Sequence, residues 1–176
     1  SDYTSFVDEV YETDNPLTPE QVLFVGAGNI DGWAHAFAAI HTHKGDRISA
    51  FSHFLRGRLS SSSVLRKDEN LASKTTMRVG GKALWYAEPQ HTEDLRRLVE
   101  ASNFFSMPRV MLGRGSNLII PDEGYHGLVL RLRGDFWNEI SSRSDDSFVV
   151  GAGSRLKDIC RLACRRGLLG FEFLEG

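Results

Sequence analysis

A glycine-bracketed turn between two apolar runs constrains this sequence more than any other feature. Residues 110–112 lead into Gly113-Arg114-Gly115, and Ser116-Asn117 then precedes a second apolar run at residues 118–120. Glycines leave successive backbone N–H groups unscreened by a Cβ, and a concavity lined by such groups binds phosphate. The turn therefore predicts a site for a phosphate-bearing cofactor. The alternative is a plain tight turn between two buried strands.

Further glycine motifs flank this turn on both sides. Thr75-Thr76-Met77-Arg78-Val79-Gly80-Gly81 precedes it, and Val149-Val150-Gly151-Ala152-Gly153 follows it, before a Gly-Leu-Leu-Gly-Phe-Glu-Phe-Leu stretch at residues 167–174. The order of these motifs across residues 71–176 resembles the UDP-N-acetylenolpyruvoylglucosamine reductases, also called UDP-N-acetylmuramate dehydrogenases. The resemblance depends on the ordered set, because each motif alone is weak.

The resemblance implies an α+β fold, namely the N-terminal part of a PCMH-type (p-cresol methylhydroxylase-like) FAD-binding domain with a mixed sheet and helices. It implies FAD as the cofactor, NADPH as the reductant and a UDP-sugar as the substrate. The implied product is UDP-N-acetylmuramate, a cytoplasmic precursor of bacterial peptidoglycan. In such enzymes the cofactor carries the hydride chemistry, while the protein orients it.

The turn and the resemblance together assign the candidate site. The pyrophosphate of FAD is expected at Gly113–Asn117, with Arg114 either adding charge or pointing to solvent. The cofactor-binding residues so assigned are Thr76, Arg78, Val79, Gly80, Gly113, Arg114, Gly115, Ser116, Asn117, Gly151, Ala152 and Gly153. The serine, arginine and glutamate that the family uses in catalysis fall beyond these motifs. No catalytic residue is therefore assigned, and the chain is expected to be an inactive part of a longer reductase.

The N-terminal quarter predicts a separate unit. A strand at residues 22–25, the glycine turn Gly26-Ala27-Gly28-Asn29-Ile30 and a helix at residues 33–40 resemble the C-terminal tail of UDP-N-acetylmuramate–L-alanine ligase. The serine run at residues 59–63 is typical of a flexible linker. We therefore expect a possible ligase tail at residues 1–45, a linker at 46–70 and a partial FAD-binding domain at 71–176, as in a ligase–reductase fusion.

Two alternatives remain open at this stage. Gly26 and Gly28 are part of a dinucleotide fingerprint, but the third glycine, Gly32, comes one residue late, and the acidic Asp46 follows no convincing strand. The other alternative is a domain fragment without catalytic function.

Composition excludes several classes of partner. The net charge of −2 gives no general attraction to nucleic acid, and no apolar run is long enough to cross a bilayer. Residues 1–20 are acidic and polar, so no signal peptide is predicted and a cytoplasmic location is expected. Cys160 and Cys164 are expected to be reduced thiols, and no metal site is predicted.

Overall fold

The computed structural model describes a continuous stretch, residues 46–175, and seven residues before it. Those seven are Gly32, His35, Ala36, Ala38, Ala39, Thr42 and His43. The strand predicted at residues 22–25 and the glycine turn at 26–30 lie outside the described residues.

Four helices and six strands follow one another in the continuous stretch. The helices are α1 (Arg47–Leu55), α2 (Thr92–Phe104), α3 (Asp135–Asn138) and α4 (Leu156–Arg165). The strands are β1 (Val64–Asn70), β2 (Lys82–Glu88), β3 (Arg109–Met111), β4 (Tyr125–Leu130), β5 (Ile140–Ser142) and β6 (Phe148–Val150). Two short 3₁₀ helices lie at Ala72–Lys74 and Glu172–Glu175.

The sheet is mixed, as the α+β prediction requires. Its strand order is β1-β2-β4-β3, with β2, β4 and β3 parallel and β1 antiparallel to β2. Helix α2 carries the chain from β2 across to β3, and β4 later fills the position between those two strands. Strands β5 and β6 form a separate antiparallel pair.

Alternate residues of the central strands point to opposite faces of the sheet. Trp85 and Leu128 lie in the larger buried cluster, which α1 and α2 cover. Tyr86 and Val129 lie in a smaller cluster with Leu112, on the side of the loops that follow β1 and β3. The loops that carry the glycine motifs therefore lie on the face that the helices leave free.

Residues 46–70 differ from the linker that their composition predicts. Asp46 caps α1 by accepting hydrogen bonds from the N–H groups of Ile48 and Ser49. Every residue of β1 except Asp68 pairs with a residue of β2. The buried cluster around α1 also includes Ala36 and Ala39. The chain before Leu71 thus supplies one edge of the sheet and part of its core.

The serine run is ordered because its hydroxyl groups meet a buried carboxylate. Asp94, which is only 3% exposed, accepts hydrogen bonds from the Ser60 N–H at 2.9 Å, the Ser60 Oγ at 2.7 Å and the Ser63 Oγ at 2.8 Å. Ser63 Oγ in turn accepts a bond from the Gln90 N–H at 2.9 Å. The serine run, whose composition is typical of a flexible linker, is therefore held in place by Asp94, which lies far along the sequence.

A short helix precedes the hairpin of β5 and β6. Trp137 lies in this helix, α3, and β5 pairs with β6 directly after it. The Trp137 Nε1 donates a buried hydrogen bond to the Pro89 carbonyl at 2.6 Å. This bond holds Trp137 against the residue that follows β2.

Candidate functional site

An open cleft of about 590 Å³ lies at the carboxyl ends of β3 and β4. Its wall on the β3 side includes Gly113 and Arg114, and its opposite wall includes Ala152 and Gly153. Two of the predicted glycine motifs therefore meet across one cleft. Loops at the carboxyl ends of parallel strands are a common place for ligands in sheets of this kind.

The turn at Gly113–Asn117 has free donors. Within the part of the chain that the structure describes, none of its five backbone N–H groups donates a hydrogen bond to the protein. A Cβ added at Gly113 would meet nothing within 4 Å. Ser116 and Asn117 are exposed and are not part of the cleft wall. The backbone thus has the donors that the phosphate prediction requires, whereas these two side chains do not line the cleft.

The loop at residues 75–81 packs against this turn and donates a hydrogen bond to it. The Thr76 N–H donates to the Gly115 carbonyl at 2.9 Å, and the Gly81 N–H donates to the Pro121 carbonyl at 2.8 Å. Arg78 has a φ of 56° and Gly80 a φ of 113°, so the loop turns sharply. A Cβ at Gly80 would lie 2.6 Å from that of Ile120.

Four of the predicted cofactor-binding residues lie on this supporting loop and not in the cleft wall. Thr76, Arg78 and Val79 are exposed, and Gly80 is half-buried. Val79 and its neighbour Met77 leave about half of their surfaces in solvent, at 47% and 59%. The loop therefore presents an apolar surface beside the turn.

The glycines of residues 151–153 serve packing as well as the cleft. The Gly151 N–H donates to the Glu139 carbonyl at 2.7 Å, and the Gly153 N–H donates to the Trp137 carbonyl at 2.8 Å. A Cβ at Gly151 would come within 2.3 Å of the Trp137 carbonyl oxygen. Small residues are therefore required here for this loop to pack against α3. The N–H groups of Gly151 and Gly153 already donate hydrogen bonds within the protein.

Sequence reasoning missed the arginines that supply most of the charge of the cleft. Arg131, Arg133 and Arg155 line it together with Arg114, and Asp158 is the carboxylate in the wall. The Arg-Leu-Arg spacing after β4 is the signal that points to them, since alternate residues of an extended chain share one face. This charge balance favours an anionic ligand.

Ser154 was also missed. It lines the cleft, and its Oγ is buried without a hydrogen-bond partner among the described residues. A buried hydroxyl without a partner is unusual in a folded protein. The free backbone donors and the arginines of the cleft fit a pyrophosphate-bearing cofactor.

A comparison with protein families decides the assignment. A family model described as an FAD binding domain matches residues 83–176. The chain belongs to this FAD-binding domain family. Of the residues predicted to contact the cofactor, those at 113–117 and 151–153 fall inside the matched region, and Thr76–Gly80 lies just before it.

Relatives of this FAD-binding domain are reductases. The chain is 38% identical over 127 residues to UDP-N-acetylenolpyruvoylglucosamine reductase 2 of Symbiobacterium thermophilum, covering 72% of this chain and 40% of that protein. It is 40% identical over 116 residues to UDP-N-acetylenolpyruvoylglucosamine reductase of Synechococcus sp., covering 64% and 36%. A crystal structure of UDP-N-acetylenolpyruvylglucosamine reductase (MurB) from Thermus caldophilus matches with 34% identity, a TM-score of 0.49, and coverage of 65% and 37%. The chain thus spans well under half the length of these relatives.

Other classes of site have no counterpart in the described residues. Asp46, the acidic residue of the alternative dinucleotide fingerprint, caps α1, and the family match is to an FAD binding domain, so that alternative is not favoured. No group of three or more potential metal ligands comes together in the part of the chain that is described. No helix in that part is long and apolar enough to cross a membrane.

Proposed function

We propose that this FAD-binding domain serves a reductase that converts UDP-N-acetylenolpyruvoylglucosamine to UDP-N-acetylmuramate with NADPH. The observation that carries the proposal is the cleft at the ends of β3 and β4, where four arginines surround free backbone donors. The names of the similar proteins supply the substrate class. Such a reductase works in the cytoplasm and supports peptidoglycan synthesis, and through it cell shape and division.

Each wall of the cleft has a distinct task in this proposal. The N–H groups of Gly113–Asn117 hold the pyrophosphate, and the surrounding arginines neutralise its two charges. The surface at Thr76, Arg78, Val79 and Gly80 lies beside the flavin ring, and residues 151–153 close the opposite side. FAD supplies hydride transfer when bound, and the residues of this chain bind and orient it.

The N-terminal segment is proposed to be the tail of a ligase module, fused ahead of the reductase. The ligase would act on the product of the reductase. The boundary of the FAD-binding domain is proposed to lie before Leu71, because β1 belongs to its sheet. The 127-residue match to the Symbiobacterium reductase supports this boundary, since it is longer than residues 71–176.

Titration of the purified full chain with FAD tests the proposal. We expect a flavin absorbance band to remain with the protein after gel filtration, at one FAD per chain. Arg114→Gln is the matched variant, and it should bind FAD more weakly while melting at the wild-type temperature. A folded wild-type chain that retains no FAD would contradict the proposal. Oxidation of NADPH that depends on the UDP-sugar is expected only from the whole reductase.

A further inference from the structure

Tyr86 on β2 lies behind the cleft and is only 1% exposed. Its hydroxyl donates a hydrogen bond to the Glu88 Oε1 at 2.5 Å. Burial and the adjacent Glu88 carboxylate raise the pKa of Tyr86 well above its ordinary range, and the Arg131 guanidinium opposes part of that shift. The hydroxyl therefore remains protonated and continues to donate to Glu88.

Glu88 connects this buried hydroxyl to the charged wall of the cleft. Its Oε1 lies 3.7 Å from a guanidinium nitrogen of Arg133, and its side chain is 17% exposed, against 58% for Arg133. Arg131 lies beside the hydroxyl of Tyr86. Both arginines line the cleft. The Tyr86 hydroxyl and the Glu88 carboxylate thus form a linked pair, with Arg131 beside the hydroxyl and Arg133 beside the carboxylate.

The ring of Tyr86 also supports the phosphate turn. The Lys74 Nζ lies 5.2 Å from the centre of the ring and pairs with Glu69 at 2.8 Å. The backbone of Lys74 is the surface against which Gly115 packs. The Tyr86 side chain therefore contacts both Lys74, which packs against the phosphate turn, and Arg131, which lines the cleft.

We propose that Tyr86 and Glu88 are positioning residues, which hold Arg131 and Arg133 toward a pyrophosphate in the cleft. The proposal rests on the function proposed above, because it takes the ligand to be a pyrophosphate ester. A carboxylate close to an anion site would by itself repel the ligand. The pair is favourable there because Glu88 orders Arg133, and the Tyr86 hydroxyl orders Arg131, in advance of binding.

Calorimetric titrations of the full chain with FAD, and separately with inorganic pyrophosphate, test this proposal. Tyr86→Phe keeps the ring and removes the hydroxyl, and Glu88→Gln removes the charge. We expect each to weaken binding of both probes by about tenfold, which is typical of losing a hydrogen bond to a charged group. Tyr125→Phe is the matched control, since Tyr125 packs against the same apolar cluster, and it should bind like the wild type.

Two readouts separate positioning from a structural or purely electrostatic effect. The dependence of affinity on salt should become shallower in Tyr86→Phe, because fewer ion contacts form. A structural role alone would lower the melting temperature without changing that dependence. In Glu88→Gln, a purely electrostatic role would tighten binding, because a negative charge has been removed, whereas loss of positioning weakens it.

The outcomes distinguish this inference from the proposed function. Wild-type affinity for pyrophosphate in Tyr86→Phe, or tighter binding in Glu88→Gln, would overturn the positioning role even if FAD binds. Pyrophosphate binding that weakens in both variants would support it even if FAD does not bind, and the proposed function would then fail alone. A wild-type chain that binds neither probe would overturn both.

Discussion

Gly113 and Gly115 stand two residues apart in one turn, but their surroundings differ. Gly115 has a φ of 72°, and a Cβ there would lie 2.5 Å from the Lys74 carbonyl oxygen and 2.8 Å from the Thr75 Cα. Gly113 faces open space within the cleft wall. The first glycine is therefore available to a ligand, and the second is required by the protein itself.

Gly113→Val is the substitution that should block the cleft. The branched side chain would fill space that the pyrophosphate needs, and no neighbouring atom opposes it. We expect FAD affinity to fall at least tenfold, while the melting temperature of the ligand-free chain stays within a degree or so of wild type. Flavin fluorescence titration and calorimetry measure the two effects.

Gly115→Ala should show the opposite pattern. A non-glycine residue at this φ, with a Cβ against backbone, is expected to lose about 1–3 kcal/mol of unfolding free energy. Equal stability of the two variants would contradict the different surroundings described for the two glycines.

At this scale the sequence predicts the turn but not the orientation of its residues. The Gly-Arg-Gly-Ser-Asn pattern identifies residues 113–117, because few other patterns expose successive N–H groups. The pattern does not tell which glycine faces a ligand, since that depends on Lys74 and Thr75 in a different loop. Arg131 and Arg133 were missed for a similar reason: only the pairing of β4 with β3 brings them to the turn.

Among the elements, the contact between the serine run and α2 is the clearest case of order imposed from a distance. Ser63→Ala removes a donor to Asp94 and an acceptor for the Gln90 N–H. We expect it to lose about 1–3 kcal/mol of unfolding free energy, because buried partners are left unsatisfied. Ser62→Ala is the control, since Ser62 is exposed and its hydroxyl forms a hydrogen bond with that of Ser60 and not with Asp94. A similar loss in both variants in urea unfolding would argue against this role of Asp94.

The same carboxylate predicts a pH dependence. Burial would raise the pKa of Asp94, but hydrogen bonds from Ser60 and Ser63 outweigh it and hold the pKa below its ordinary value of 3.8. Its stabilising contribution is therefore complete above pH 3.8 and is lost as the pH falls through the lowered pKa. Asp94→Asn should be less stable than wild type near pH 7, and this difference should shrink below pH 3.8. A difference that stays constant with pH would exclude the contribution.

Elements with a strong local signal can be predicted from the sequence. The apolar run at residues 83–87, with Pro89 soon after it, and the acidic first turn after Thr92 identify β2 and α2 closely, although the residue that precedes α2 as its cap is His91. Residues 46–70 were misjudged, because serine content reports local flexibility and carries no information on a carboxylate some thirty residues away.

On the scale of the whole molecule, α1 joins the core of the FAD-binding domain. Phe51 is fully buried, with its ring centre 5.6 Å from that of Trp85 and 6.1 Å from that of Phe105. Phe54 packs on Phe104 at 5.5 Å. Aromatic contacts of this kind bind the chain before Leu71 to β2 and α2 as one cooperative unit.

Phe51→Ala tests whether α1 unfolds together with β2 and α2. We expect a loss of about 3–5 kcal/mol of unfolding free energy, in a single transition that also exposes Trp85. Ile48→Ala in the same helix is the control, with a small effect expected because Ile48 is already 37% exposed. Tryptophan fluorescence and far-UV circular dichroism should give coincident curves. A second transition that keeps its wild-type midpoint would show that the two parts unfold independently.

The central position of β4 has a consequence for the order in which the protein is made. Strands β1, β2 and β3 leave the ribosome before residues 125–130 do, so β2 and β3 wait without the neighbour that joins them. Each then presents an unpaired edge, which is a template for association with other chains. A chain released from the ribosome before Tyr125 is added should therefore need a chaperone to stay soluble, and one released after Leu130 should need it far less.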